Sequence, residues 1–139
     1  MIMKTAFFQA KFENLDSIRE YVGLGAKDAG FNDSDIYAVQ LAADEACSNI
    51  IEHAYGNDDT GLLECSYSFD GEYLVLTFKD YGCFFDPTSV SDPDLTSNLE
   101  QRQIGGLGLF LIKNLMDDVQ YESHGEAGNV LTLKKRLRV

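Results

Sequence analysis

The sequence contains no tryptophan, only two prolines and only three cysteines in 139 residues. The cysteines, Cys47, Cys65 and Cys83, are far apart and form no Cys-x-x-Cys or Cys/His cluster, so a structural zinc site is not expected. Their odd number and wide spacing fit reduced thiols in a cytosol, not a disulfide framework. We therefore expect a cytoplasmic protein that buries a core without disulfide bonds.

Basic residues are also scarce, with 11 lysines and arginines against 23 aspartates and glutamates, for a formal net charge of −12. Such a surface repels nucleic acid phosphates and disfavours DNA or RNA binding, whereas it suits solubility or a basic protein partner. No apolar run approaches the roughly 20 residues that a membrane span needs, and the N-terminus has no signal-peptide pattern. We expect neither a nucleic acid nor a membrane as a partner.

The length fits a single domain, residues 1–139, that opens with a strand and a helix. The stretch NLDSIREYVGLGAKDAG has apolar residues at helical spacing and ends at Gly30, although Gly23 and Gly25 inside it each cost about 1 kcal/mol relative to alanine. Before it, KTAFFQAKFE alternates as a strand does. Its apolar face is predicted to comprise Phe8, Ala10 and Phe12.

The middle of the chain predicts a second helix and a hairpin. NDSDIYAVQLAADEACSNIIEHAYG has the strongest helical pattern; Asp33 or Ser34 is the expected N-cap, and Gly56 the C-terminal stop. The two strands of GLLECSYSFDGEYLVLTFKD are joined by a short turn at Asp70 and Gly71.

Residues 81–106 hold both prolines and many Asp, Ser and Asn residues, which predicts a long loop of functional importance. GLGLFLIKNLMDD then predicts a buried helix, and VQYESH and NVLTLKKRL predict two strands around a turn at residues 125–128. The order β, α, α, β, β, loop, α, β, β predicts an α+β two-layer sandwich. About three helices would cover one face of a mostly antiparallel sheet.

The second helix carries Glu45 and Asn49 one turn apart, in DEACSNIIEHAYG. They lie on a flank about 120° from the apolar stripe. An amide oxygen suits a hard cation such as Mg²⁺, and a carboxylate can accept a proton from an attacking hydroxyl. On its own, a solvated helix face is the more common explanation of such a pair. The stripe comprises Ile36, Val39, Ala43, Ala46 and Ile50.

Three further segments carry candidate chemistry. In FKDYGCFFDP, Asp80 at a strand end could accept a hydrogen bond from an exocyclic amine such as that of adenine, and Gly82 would let a flat base approach. In IGGLGLFLIKNL, glycines at the start of a helix favour the binding of an anion by free backbone amides. The segment matches neither the Walker motif nor the Rossmann glycine motif. The hydroxyl of Thr132 could hold Asp80 or the base. An ordinary turn and a β-favouring threonine remain alternatives.

The order and spacing of these segments over residues 36–137 resemble the ATP-binding module of gyrase, the heat-shock-ninety chaperones, histidine kinases and mismatch-repair ATPases. Within that superfamily the chain is most similar to the stand-alone anti-sigma-factor serine/threonine kinases of bacteria. The similarity lies in DEACSNIIEHAY, DYGCFFDP and GGLGLFLIKNLMDDVQY.

This resemblance implies a role for each matching residue. Glu45 would be the general base, Asn49 the Mg²⁺ ligand, and Asp80 the reader of the adenine amine, with Gly82 beneath the base and Thr132 supporting Asp80. Residues 87–104 would form the ATP lid. The other nucleotide-binding residues implied are Phe85, Gly105, Gly106, Leu107 and Gly108, of which Gly106 and Gly108 would meet the phosphates.

The resemblance also implies a function: phosphorylation of an anti-sigma factor antagonist, together with sequestration of a sigma factor. Relatives suggest a homodimer. A different class of function, a binding switch that uses ATP as a structural ligand or not at all, is disfavoured by the intact Glu45. The catalytic domain of a sensor histidine kinase is rejected because His53 and His124 are the only histidines and no segment before the module could hold a phospho-accepting helical hairpin.

Overall fold

A computed structural model describes residues 3–58, 60–83 and 104–138, with the backbone alone described at 104–109. The strands are β1 Lys4–Gln9, β2 Leu62–Phe69, β3 Tyr73–Asp80, β4 Asp118–Ser123 and β5 Asn129–Arg136. The helices are α1 Leu15–Ala29, α2 Asp33–Asn49 and α3 Ile104–Leu115. Shorter turns are the π-helical Ile50–Ala54 and the 3-10 turns Phe12–Asn14 and Gly125–Ala127. Among the described residues, no helix is long and apolar enough to span a membrane.

The strands form one sheet in the order β1-β2-β3-β5-β4, and each neighbouring pair is antiparallel. Alternate residues of the central strand β3 are buried, as expected when helices cover one face of a sheet. The buried residues of β3 are Leu74, Leu76, Phe78 and Asp80. The predicted α+β sandwich, with three helices and an antiparallel sheet, is confirmed.

Several predicted boundaries need correction. The N-cap of α2 is Asn32, whose Oδ1 accepts a hydrogen bond from the Asp35 amide at 2.8 Å, and not Asp33 or Ser34. Phe12 lies in a 3-10 turn beyond the end of β1 and is exposed, so it does not share the strand face. Helix α3 begins at Ile104, two residues earlier than predicted. The stop of α1 at Gly30 is confirmed, since its φ of +96° favours glycine.

Helix α1 packs against α2 and the sheet through its two internal glycines. A Cβ at Gly25 would lie 2.6 Å from the Tyr67 ring of β2, which itself packs at a tilt against the Tyr21 ring, with a centroid distance of 5.0 Å. A Cβ at Gly23 would instead meet the amide end of the Gln40 side chain at 2.5 Å. Both glycines lower the helix propensity of α1 but allow close packing. Gly25 packs against the Tyr67 ring, and Gly23 against the flexible Gln40 side chain.

These contacts predict different outcomes for two matched substitutions. Gly25→Ala should lower the free energy of unfolding by about 1–3 kcal/mol, because the packed Tyr67 ring cannot move away. Gly23→Ala should change it by less than about 1 kcal/mol, because the end of Gln40 can rotate aside, and the helix propensity of alanine offsets the loss of its hydrogen bond to the Arg19 carbonyl. Urea denaturation of both variants checks this. Equal losses at the two positions would contradict the packing argument.

Candidate functional site

The C-terminal end of α2 presents Glu45 and Asn49 one turn apart. Glu45 is half-buried and Asn49 is 7% exposed. The predicted apolar stripe is confirmed, since its members are buried or, for Ile36, partly buried against the core. Burial raises the pKa of the Glu45 carboxyl, and the nearby carboxylates of Asp44 and Glu52 raise it further. A carboxyl with a raised pKa on a helix flank is suited to accept a proton.

A π-helical turn, Ile50–Ala54, follows Asn49 directly. The Tyr55 amide donates to the Ile50 carbonyl five residues earlier at 3.1 Å, which widens the backbone there. Such turns are rare and frequently occur at functional sites. The apolar pattern of the sequence continues through this turn, so hydrophobic periodicity gave no signal for it.

The π-helical turn binds the segment that leaves β3. The Cys83 amide donates to the Ala54 carbonyl at 2.7 Å, and a Cβ at Gly82 would collide with that same carbonyl. Beside it, the Tyr81 amide donates to the Tyr55 hydroxyl at 2.8 Å. Glycine at position 82 is therefore required by close approach of protein backbone, a constraint that exists independently of any bound base.

Asp80 ends β3 with its carboxylate turned toward the helices and only 3% exposed. One oxygen, Oδ1, accepts hydrogen bonds from the Gly82 amide at 3.0 Å and from Asn129 Nδ2 at 2.9 Å. Asn129 also donates to the Gly82 carbonyl and accepts from the Ser123 hydroxyl at 2.7 Å. Burial raises the pKa of Asp80, although the two donated hydrogen bonds act in the opposite direction.

The predicted support of Asp80 by Thr132 is wrong. In the antiparallel register Asp80 pairs with Asn129, whereas Thr132 pairs with Thr77. Residues three apart on a strand point to opposite faces, so Thr132 lies on the sheet face away from the helices. Asn129 takes the expected place. The turn before β5 sets the register of β5 against β4, but not its register against β3, so residue type alone pointed to Thr132 instead of Asn129.

The glycine-rich segment lies inside the first turns of α3 and does not precede the helix. Gly105 and Gly106 are the second and third residues of the helix, whose amide groups have no partner within a helix. Leu107 is the fourth residue, where the i→i−4 hydrogen bonds of a helix begin. Gly108 is the fifth residue, so its amide can already pair with Ile104. Phe85 and most of the predicted lid, residues 87–103, lie outside the described residues.

The oxygen atoms near Asn49 suit a metal ion that takes most of its ligands from a bound phosphate compound and water, and few from the protein. No group of three or more His, Cys, Asp or Glu side chains within the described parts of the chain could hold a metal ion. A single largely buried amide beside the Glu45 carboxylate fits Mg²⁺, which commonly takes one or two protein oxygens and completes its shell with phosphate oxygens and water.

A family model and individual relatives both match this sequence over most of its length. The family model described as "Histidine kinase-like ATPase domain" matches residues 8–135. A protein named serine-protein kinase RsbW from Bacillus cereus is 35% identical over 129 residues, covering 90% of this chain and 79% of that protein. A protein of the same name from Listeria monocytogenes is 35% identical over 112 residues, covering 73% and 71%.

Two solved structures share the fold. A crystal structure of RsbU and RsbW domains from Mycobacterium tuberculosis superposes with a TM-score of 0.67 at 16% identity, covering 99% of this chain and 32% of that longer chain. The Acinetobacter baumannii histidine kinase AdeS superposes with a TM-score of 0.54 at 14% identity, covering 100% and 70%.

The contacts of Asn129 predict a pH-dependent stability loss. Asn129→Ala should lower the free energy of unfolding at neutral pH by about 1–3 kcal/mol, because buried Asp80 loses a donor. The pKa of Asp80 is already higher in the folded than in the unfolded protein. Asp80 therefore contributes to the free energy of unfolding most fully below its unfolded-state pKa, and this contribution is lost as the pH rises through its folded-state pKa. Removing Asn129 raises that pKa further, so the deficit should shrink as the pH is lowered.

Chemical denaturation at neutral and acidic pH measures this deficit. Thr132→Val is the control, because it changes a side chain on the other face of the sheet and should alter stability by less than about 0.5 kcal/mol. A larger loss from Thr132→Val than from Asn129→Ala would restore the role that the sequence analysis gave to Thr132.

Proposed function

Because the chain belongs to the histidine kinase-like ATPase domain family, we propose that it is an ATP-dependent serine/threonine kinase that phosphorylates an anti-sigma factor antagonist and sequesters a sigma factor. The observation that carries the proposal is the Glu45–Asn49 pair on one flank of α2, in a chain 35% identical over 90% of its length to a serine-protein kinase. Both partners would be met in the cytoplasm, and the homodimer suggested by relatives belongs to the same proposal.

At the nucleotide end, Asp80 would accept a hydrogen bond from the adenine amine. Its Oδ1 is engaged by Gly82 and Asn129, so these donors fix the direction of the carboxylate before any nucleotide arrives. Burial strengthens such a bond, since little water competes for the carboxylate. The site would therefore favour a base with an exocyclic amine over one that presents a carbonyl there.

At the reaction end, Glu45 would take the proton of the attacking serine or threonine hydroxyl. Its raised pKa makes it a stronger base than an ordinary carboxylate. Asn49 would hold the metal through its amide oxygen, and a bound Mg²⁺ would supply neutralisation of phosphate charge. Positioning by rigid elements is the main contribution of the protein to such a transfer.

The phosphates would be received at the start of α3. Lys135 Nζ donates to the Leu115 carbonyl at 2.8 Å, so the C-terminal end of α3 is at the row where Lys135 pairs with Leu74. That row is at the opposite end of β3 from Asp80. A helix of 12 residues is about 18 Å long, so an α3 that runs back along the sheet would bring its amide-rich start toward Asp80.

Replacement of the proposed base tests the proposal. Glu45→Gln keeps the size and polarity of the side chain and removes the proton acceptor, so phosphate transfer should fall by about 100-fold or more. ATP binding measured by calorimetry should stay within a few-fold of the parent. Labelled γ-phosphate ATP, Mg²⁺ and a candidate antagonist protein provide the assay. Full transfer by Glu45→Gln would show that Glu45 is not the base, and ATP binding without any transfer by the parent would favour a binding switch.

The raised pKa of Asp80 predicts the pH dependence of nucleotide binding. Only the ionised carboxylate can accept from the adenine amine without offering a proton, so ATP affinity should fall as pH drops through that pKa, before an ordinary aspartate is protonated. Asp80→Ala should weaken binding about tenfold or more and remove this acid limb. Calorimetric titration across the acidic range measures both. A parallel decline in parent and variant would exclude Asp80 as its origin.

A further inference from the structure

The side chain of Tyr55, the residue after the π-helical turn, lies between the adjacent ends of β2 and β3. Its hydroxyl donates to the Leu62 carbonyl at 2.5 Å and accepts from the Tyr81 amide at 2.8 Å. Leu62 is the first residue of β2, and Tyr81 is the first residue beyond β3. We call these two hydrogen bonds the Tyr55 bridge, because they connect both strands to the segment that continues α2.

The Tyr55 bridge lies where the β2–β3 ladder would otherwise continue. The register of the strands ends one residue before Leu62 and Tyr81, which are the next to face each other. Hydrogen-bonded pairs recur at every second residue of an antiparallel ladder. Counted from the bonded pair of Asp70 and Tyr73 at the hairpin turn, Leu62 and Tyr81 occupy such a position. The regular bond there would run from the Tyr81 amide to the Leu62 carbonyl, and the Tyr55 hydroxyl takes both groups as its own partners instead.

The ring of Tyr55 is packed on backbone at two glycines. A Cβ at Gly61 would lie 2.7 Å from the ring, and a Cβ at Gly82 would lie 3.0 Å from it. The Gly61 carbonyl also accepts from the Ala10 amide at 2.8 Å, so the chain entering β2 is anchored beyond β1. Close packing on both sides fixes the position of the ring, and therefore that of its hydroxyl.

The course of the chain after β3 follows from this bridge. Gly82 donates its amide to Asp80 Oδ1 at 3.0 Å, and the Cys83 amide reaches the Ala54 carbonyl at 2.7 Å. An amide that donates to the side chain of the aspartate two residues earlier belongs to a turn and not to an extended strand. A ladder that continued through Tyr81 would carry the chain on along β2 and remove this turn.

We propose that Tyr55 is a positioning residue for recognition of the base. Its hydroxyl ends the β2–β3 ladder at Asp80, and the turn that results places the Gly82 amide on the Asp80 carboxylate. Tyr55 thus acts through Gly82 and Asp80. The consequence for binding adenine rests on the proposed function, whereas the bridge itself is present without a nucleotide.

Removal of one hydroxyl tests the bridge in the nucleotide-free chain. Tyr55→Phe keeps the ring and deletes both hydrogen bonds, so the Gly82 amide should lose its fixed partner and exchange its hydrogen about tenfold faster. The rate is compared with that of the buried Leu76 amide in β3, which reports any general loss of stability. Tyr37→Phe is the matched control, because it deletes the same group from an α2 side chain that is 66% exposed.

Nucleotide selectivity tests the consequence for recognition. Inosine triphosphate carries a carbonyl where ATP carries its exocyclic amine, so calorimetry should show that the parent binds ATP more tightly. Tyr55→Phe should reduce this preference by about threefold to tenfold by weakening ATP alone. A merely structural role would weaken both nucleotides equally and leave their ratio unchanged. In an Asp80→Ala background, Tyr55→Phe should not change the ratio further, since it acts through Asp80.

Faster exchange at Gly82 together with a reduced preference for ATP supports the proposal. A preference that Tyr55→Phe retains in full, or exchange at Gly82 that rises only in step with that of Leu76, overturns the proposal and leaves the proposed function standing. A parent that binds both nucleotides equally has no base recognition at Asp80, and this result overturns the role of Asp80 in the proposed function together with that of Tyr55.

Discussion

The hydrogen bond from the Cys83 amide to the Ala54 carbonyl is the constraint on which the site depends. It holds the segment leaving β3 against the π-helical turn that follows Asn49, and so ties the end of the central strand to the end of α2. Two features follow from it: position 82 must be glycine, because a side chain would collide with that carbonyl, and Asp80 is oriented by the Gly82 amide. Asp80, the candidate adenine-binding residue, and Asn49, the candidate metal ligand, are thereby connected through hydrogen-bonded backbone atoms.

Wholly or partly buried carboxylates without full compensation are concentrated in this region. Asp80 keeps two donors but a raised pKa, Glu45 is half-buried beside like charges, and Asp44 leaves one oxygen unpaired among the described residues. Each arrangement lowers the stability of the fold, and such destabilising arrangements are typical of functional sites. By contrast, Asp117 on the surface pairs with Arg138 at 2.6 Å, and that hydrogen bond lowers its pKa, as in an ordinary ion pair.

Sequence reasoning predicted the element order, the two-layer α+β class, the Asp70–Gly71 turn and the family, because period, turn chemistry and motif order are local signals. It missed what depends on distant pairing or on small backbone changes. Asn129 was missed because hydrophobic alternation gives the face of a strand but not its register against a partner. The cap at Asn32 and the π-helical turn differ from the predicted geometry by one residue, below what periodicity resolves. The roles of Glu45, Asn49 and the glycines of α3 stay predictions.

The most direct test of the account is a crystal structure of the chain with Mg²⁺ and a non-hydrolysable ATP analogue. The central claim is that one nucleotide bridges the end of β3 and the start of α3 beside α2. The account predicts the adenine amine within hydrogen-bond distance of Asp80, the triphosphate at the amide groups of Gly105 and Gly106, and the metal on Asn49. Adenine bound away from Asp80, or phosphates bound away from the start of α3, would contradict it.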